Sequence, residues 1–348
     1  MESGTIRLLE SIENAIDPDV EDAYLAHWDD FIAGRTEDEI FSPTRTRQAV
    51  TDYRFRNIRI NDTLRDNELM LVSQMEPVLR MLVSGRGVLN VRSNYGTGIV
   101  TSLFDAPLFI MPPELNTLPT TRPLGIDAIP RLLDAGVPSF DNGFGGDALR
   151  MGAYFREVFS HYPKIDKYVK VYHPDTQGPL DLCELLIGSE IFYLPYDDPG
   201  RLDAMLSLMT ETMTAYLNKW YEIFPRTPER SSHWGGFCHK GCLVLRLDSG
   251  MNISPETYRS FVLKYDTQML ERFDGGVIHF CGRGDHYIDI ITQMPKLYGI
   301  NMSQPELNDM DKIYRCTVDR GIPIYGFNAG WARKDMSRPG GLNKRVTV

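Results

Sequence analysis

Apolar positions change their period partway along the chain. In the first part they repeat as on a helix: Ile6, Leu9, Ile12 and Ile16 share one face, and a longer helical pattern runs over 64–83, interrupted by Pro77. Residues 17–59 between these stretches are acidic at first and arginine-rich later. The pattern predicts a helical lead-in, residues 1–85, packed outside the main fold. From residue 88 short apolar runs alternate with amphipathic segments. The runs are 88–91, 167–173, 242–248, 276–281, 299–302 and 322–327; the segments predicted helical are 148–161, 180–187, 202–224, 255–273, 287–292 and 309–320. Asp198-Pro199 and Ser254-Pro255 each set a capping side chain before a proline suited to a first helical turn. Strands that alternate with helices pair in parallel through right-handed crossovers. Seven or eight such units over about 260 residues predict an α/β fold with a closed (β/α)8, or TIM, barrel at 86–348, the segment 345–348 supplying the last strand.

Composition narrows the function without naming it. The 348 residues are 42% hydrophobic and 24% charged, as in an ordinary globular protein. Lys plus Arg is 37 and Asp plus Glu is 47, so the net charge is 37 − 47 = −10, which argues against nucleic acid or an anionic membrane as the main partner. Residues 1–17 lack the basic and apolar regions of a secretory signal, and no apolar run approaches the roughly 18 residues of a membrane span. Five cysteines, an odd number, read as reduced thiols in a cytoplasmic protein. A small-molecule substrate is the expected partner, with a homodimer as the expected assembly.

In a barrel the chemistry sits at the carboxyl ends of the strands. Five of these ends carry reactive side chains: Arg92, Asn94 and Tyr95; Asp175 and Gln177; Asp248; His279 and Cys281; Gln304 and Glu306. Residues two apart in a strand share a face, so His279 and Cys281 point the same way, and an imidazole and a thiolate so placed can bind zinc together. The bland reading of the same pair is a buried histidine beside a small apolar cysteine. Cys238, His239 and Cys242 do not have the spacing of a zinc knuckle and read as packing residues, as do Cys183 and Cys316. Gly282-Arg283-Gly284 suits an anion at a helix start but lacks the third glycine of a dinucleotide fingerprint.

At these residues the chain resembles the uroporphyrinogen decarboxylase superfamily, which includes tetrapyrrole decarboxylases and methylcobamide:thiol methyltransferases. The segment 247–258, Leu-Asp-Ser-Gly-Met-Asn-Ile-Ser-Pro-Glu-Thr-Tyr, is similar to the family's strand–turn–helix. His279-Phe280-Cys281-Gly282 is similar to its His-x-Cys-Gly strand end, and Asp175-Thr176-Gln177-Gly178-Pro179 to its Gly-Pro turn. The resemblance implies a (β/α)8 barrel with a funnel-shaped site in which Asp248, His279 and Cys281 are catalytic, and Arg92, Asn94, Tyr95, Asp175, Gln177, Gln304 and Glu306 bind substrate. The decarboxylases' two-arginine loop is matched only by Arg92, and their later tyrosine and Gly-His-Gly are absent. The methyltransferase branch holds zinc with His-x-Cys, here His279 and Cys281, and a later cysteine. No cysteine stands near 345–348, which leaves a non-standard third ligand, Glu306 or Cys242, or no zinc at all. The resemblance therefore implies, first, a corrinoid-linked methyltransferase with zinc and a corrinoid protein as partner. Its alternatives are a porphyrinogen decarboxylase, or a corrinoid or small-acid binding protein without chemistry.

Overall fold

The computed structural model describes residues 1–234 and 236–348. Helices begin where side chains satisfy their first amide groups. The Asp17, Asp66 and Asp198 carboxylates cap Pro18–Ile32, Asn67–Ser84 and Pro199–Ile223, and the Ser254 hydroxyl caps the turn at Pro255. Asn67–Ser84 continues through Pro77 and stops at Gly85, whose φ of 73° is left-handed. The expected 255–273 helix contains a wider-pitched turn, Tyr258–Val262, before Leu263–Arg272. The one expected at 309–320 is Met310–Cys316 followed by a 3-10 turn.

The strands are short, and apart from two antiparallel pairs, one of them Leu108–Phe109 with Thr120–Thr121, the described ones pair in parallel. Leu243–Arg246, Gly276–Phe280 and Leu297–Met302 form a three-stranded sheet with Gly276–Phe280 at its centre. Single bridges continue it from Ile300 to Ile324 and from Ile324 to Val346, and Val346–Thr347 pairs with Ile40–Phe41. Asn90–Val91 and Lys170–Val171 form a separate parallel pair. Eight parallel segments are thus present, in an arc of six and an arc of two. Among the described residues, no ladder joins 40–41 to 90–91 or 170–171 to 243–246, so a closed ring of backbone hydrogen bonds is not formed. Side chains occupy the seams instead. The His173 ring accepts the Val244 amide through Nε2 at 3.1 Å, and Arg45 donates to the Gly87 carbonyl at 3.0 Å.

Two further features depart from the sequence expectation. The 1–85 segment contributes to the fold itself: Ile40–Phe41 lies in the sheet, and Leu8, Leu9, Ile12, Met75 and Leu79 share one buried core with Leu243, Ile278 and Ile300. An antiparallel hairpin, Ser231–His233 with Phe237–His239, precedes the Leu243–Arg246 strand. Phe237 stacks on Tyr325 at 5.1 Å, and the hairpin's buried side chains fill the interior beneath the strand ends. Among the described residues no helix is long and apolar enough to cross a membrane.

Candidate functional site

The register of the central sheet builds the site in two rows. Arg246, His279 and Asn301 are cross-strand partners on three neighbouring parallel strands. Two residues further along each chain, on the same face, come Asp248, Cys281 and Ser303. Contacts tie the rows together. The Cys281 amide donates to Asp248 Oδ1 at 2.6 Å, Cys281 Sγ lies 3.4 Å from Ser303 Oγ, and His279 Nε2 lies 3.4 Å from Asp248 Oδ1 and 3.2 Å from Cys281 Sγ. His279 Nδ1 is hydrogen-bonded to Asn301 Oδ1, and Asn301 in turn donates to the Tyr325 carbonyl at 2.6 Å. An amide oxygen only accepts, so Nδ1 carries the proton and Nε2 presents its lone pair to Asp248 and Cys281.

The ends of the two-stranded arc supply the rest. Asp175 is buried, with Arg246 at 2.7 Å and Arg92 at 3.5 Å, and accepts from Gln177 at 2.6 Å. Arg246 also reaches Asp248 at 3.4 Å. Burial works against the Asp175 carboxylate, yet the two guanidinium charges hold its pKa below the ordinary value. Two arginines and two carboxylates therefore neutralise one another around the imidazole and thiol. Asp181 accepts the Asp248 and Ser249 amides at 3.2 and 2.7 Å, and burial with the nearby Asp248 charge raises its pKa. Burial likewise lowers the imidazole of His279 and raises the thiol of Cys281, so both are neutral near pH 7. The Trp234 ring, at the hairpin tip, meets His279 edge to face at 5.1 Å and lies under the Arg246 guanidinium, also at 5.1 Å.

Of the residues expected from sequence, Arg92, Asp175, Gln177, Asp248, His279 and Cys281 are drawn together. Gln304 lies beside them and accepts the Gly282 amide. Tyr95 is buried against Phe144 at 5.5 Å, and burial, then the Asp147 charge, push its phenol up to about 12. Asn94 is half-buried with its Oδ1 unpaired. Glu306 is exposed and, among the described residues, joins no contact of the cluster. Cys242, at the opposite end of its strand from Asp248, is buried and also outside it. Arg246, Asn301, Ser303, Asp181 and Trp234 were not anticipated. The first three follow from counting two residues back from Asp248 and aligning the neighbouring strand.

Asp248, His279 and Cys281 offer three ligand atoms within 4.8 Å of one another. The set suits zinc in kind, with one oxygen, one nitrogen and one sulfur, and in preparation, because the second nitrogen of His279 is already anchored. Donors bound to a tetrahedral zinc stand roughly 3.5 Å apart, and His279 Nε2 is 3.4 and 3.2 Å from the other two. A cation there would reverse the rise of the Cys281 thiol and make it a thiolate.

The fold and site define an α/β protein of short parallel strands with a candidate metal centre at their carboxyl ends. No family profile and no curated protein sequence matches the chain. Among solved structures it shares the fold of a methyltransferase from Methanosarcina mazei, with a TM-score of 0.56 at 14% identity over 76% of this chain and 71% of that one.

Proposed function

We propose that this chain is a zinc-dependent methyltransferase of the uroporphyrinogen decarboxylase superfamily, built on a (β/α)8 barrel and moving a methyl group between a corrinoid and a small acceptor. The observation that carries the reading is the convergence of Asp248, His279 and Cys281. The strand–turn–helix at 247–258 and the likeness to a methyltransferase fold support it. Asp248 takes the place of the later cysteine as third ligand, which leaves a fourth position for substrate. Zinc held there would supply a Lewis acid that lowers the pKa of an acceptor thiol.

The chain's own residues prepare that centre. Asn301 fixes the His279 tautomer, and the Cys281 and Ser249 amides orient Asp248 and Asp181. Arg246 is shared between Asp175 and Asp248 beside the imidazole, and with Arg92 it holds the Asp175 pKa below the ordinary value. Arg92, tied to the protein through one nitrogen of its guanidinium, turns the remaining donors toward the polar end of the acceptor. A decarboxylase reading fits less well, because Arg92 and Arg246 are already matched by Asp175 and Asp248 and little positive charge is left for a polycarboxylate. The corrinoid carrier is a separate protein in this reading, and the compartment is the cytoplasm.

Elemental analysis of untagged protein tests the reading. It predicts about one zinc per chain, removed by His279→Ala or Cys281→Ala. Less than roughly 0.2 zinc per chain, unchanged by His279→Ala, overturns it. Cobalamin binding without any methyl turnover would move the protein to the non-catalytic alternative.

A further inference from the structure

Two of the three rim donors are placed by regular structure. His279 lies inside the strand Gly276–Phe280, and Asp248 opens a 3-10 turn whose first amides are held by Asp181. Cys281 stands one residue beyond its strand, and the chain turns at Gly282, whose φ of 73° is left-handed. The direction of its thiol therefore depends on what holds the loop 281–285.

That loop is held from outside, by side chains of the neighbouring strand ends. The Cys281 amide donates to Asp248 at 2.6 Å and the Gly282 amide to Gln304 Oε1. The Gly284 and Asp285 amides both donate to Asn308 Oδ1, at 2.7 and 3.0 Å. Asn308 Nδ2 donates in turn to the Gly282 carbonyl at 3.0 Å and to the Gln304 carbonyl at 2.8 Å. A primary amide has two acceptor and two donor positions, and Asn308 uses all four. Its own backbone is pinned on both sides, by the 3-10 turn Pro305–Leu307 and by Asp309, which caps the helix Met310–Cys316 through the Lys312 amide at 3.1 Å. The same bonds close the turn to an anion, because three of the amides that Gly282-Arg283-Gly284 would offer are already paired with neutral oxygens.

We propose that Asn308 is a positioning residue of the rim: it sets the course of the loop 281–285 and so keeps Cys281 Sγ within reach of His279 Nε2 and Asp248. None of its side-chain hydrogen bonds goes to a donor side chain of the candidate metal centre, so it acts only through the loop. Its effect on zinc rests on the metal reading above; its effect on the thiol does not.

The test has two arms on the full chain, with Asn308→Ala and with Asn308→Asp, which keeps the two accepting positions and loses the two donations. In the first arm the zinc-free protein is alkylated with iodoacetamide and each cysteine is followed by peptide mass. Cys281 should react roughly tenfold faster in Asn308→Ala and by an intermediate factor in Asn308→Asp, as the loss of a few net hydrogen bonds from the loop gives. Cys183, Cys238, Cys242 and Cys316 are buried and should stay as slow as in wild type. In the second arm zinc affinity, measured against a competing chelator, should fall roughly tenfold in Asn308→Ala. An unchanged Cys281 rate in both variants, or a rise shared by all five cysteines, overturns the positioning role. If wild type binds no zinc, the metal reading fails while the alkylation arm still decides the role of Asn308.

Discussion

At the carboxyl ends of the strands Arg92, Arg246, Asp175 and Asp248 pair with one another, and His279 and Cys281 stand among them as possible ligands. Beneath, around the hairpin, three histidines take the opposite course. His173 donates from Nδ1 to the Pro174 carbonyl at 2.8 Å and accepts the Val244 amide at Nε2; His239 donates to the Lys240 carbonyl at 2.8 Å and accepts from His233 at 2.8 Å. Among the described residues no carboxylate pairs with them, and burial drives His173 and His239 down to about 4 and His233 lower than its ordinary value. One cluster keeps its charge by balancing it and leaves ligand atoms unspent. The other avoids charge and spends most of its nitrogens on backbone and on itself. Histidine count is therefore a poor guide to a candidate metal site here: His279 stands with two other possible ligand atoms, and the three histidines below are bonded to backbone and to one another.

Three measurements press on this contrast. The largest effect is expected from Asp175→Ala, which leaves Arg92 and Arg246 buried without their shared counter-charge. Such losses cost about 3–5 kcal/mol, to be read from urea unfolding of variant and wild type. A loss below about 1 kcal/mol would mean that the arginines find water and that the rim is not a balanced cluster. Next, Asn301→Leu frees the His279 tautomer without touching a ligand atom; zinc affinity measured against a competing chelator should fall roughly 10–100-fold. Unchanged affinity would show that the second nitrogen needs no anchor.

The smallest effect is a pH dependence. Each lower histidine has a folded pKa below its unfolded one, so between pH 6.5 and 4 the unfolded chain binds protons that the folded chain refuses, and stability falls as pH drops through that window. His239→Gln removes one such proton, so the variant should lose about 1 kcal/mol less than wild type between pH 7 and 5.5. Equal losses for both would place the acid sensitivity in other groups.

The site was more legible in the sequence than the scaffold around it. His279 and Cys281 follow from the two-residue period of a strand, and Asp248 from its position at a strand end. Arg246 lies inside an apolar run, Cys-Leu-Val-Leu-Arg-Leu-Asp, where a single charge looks like an interruption; only the partner register shows that it shares a row with His279. Asn301 was hidden in the same way. Ile40–Phe41 is too short to carry a period, so its strand appeared only in the parallel pairing with Val346–Thr347. The hairpin escaped because its turn places Trp234 at a φ of 52°, a conformation that sequence patterns associate with Gly or Asn. The ring of ladders expected from the strand count is interrupted because two-residue strands leave seams, which His173 and Arg45 fill with side-chain bonds.

The pairing of residues 40–41 with residues 346–347 also sets an order of events during synthesis. About three hundred residues must leave the ribosome between the two partners, so the edge strand waits with its hydrogen-bonding groups unmet while the segments that will bear His279 and Cys281 are already made. A nascent chain stalled shortly before residue 346 would hold His279 and Cys281 in sequence without the frame that closes around them, and it would expose a strand edge to chaperones or to other chains.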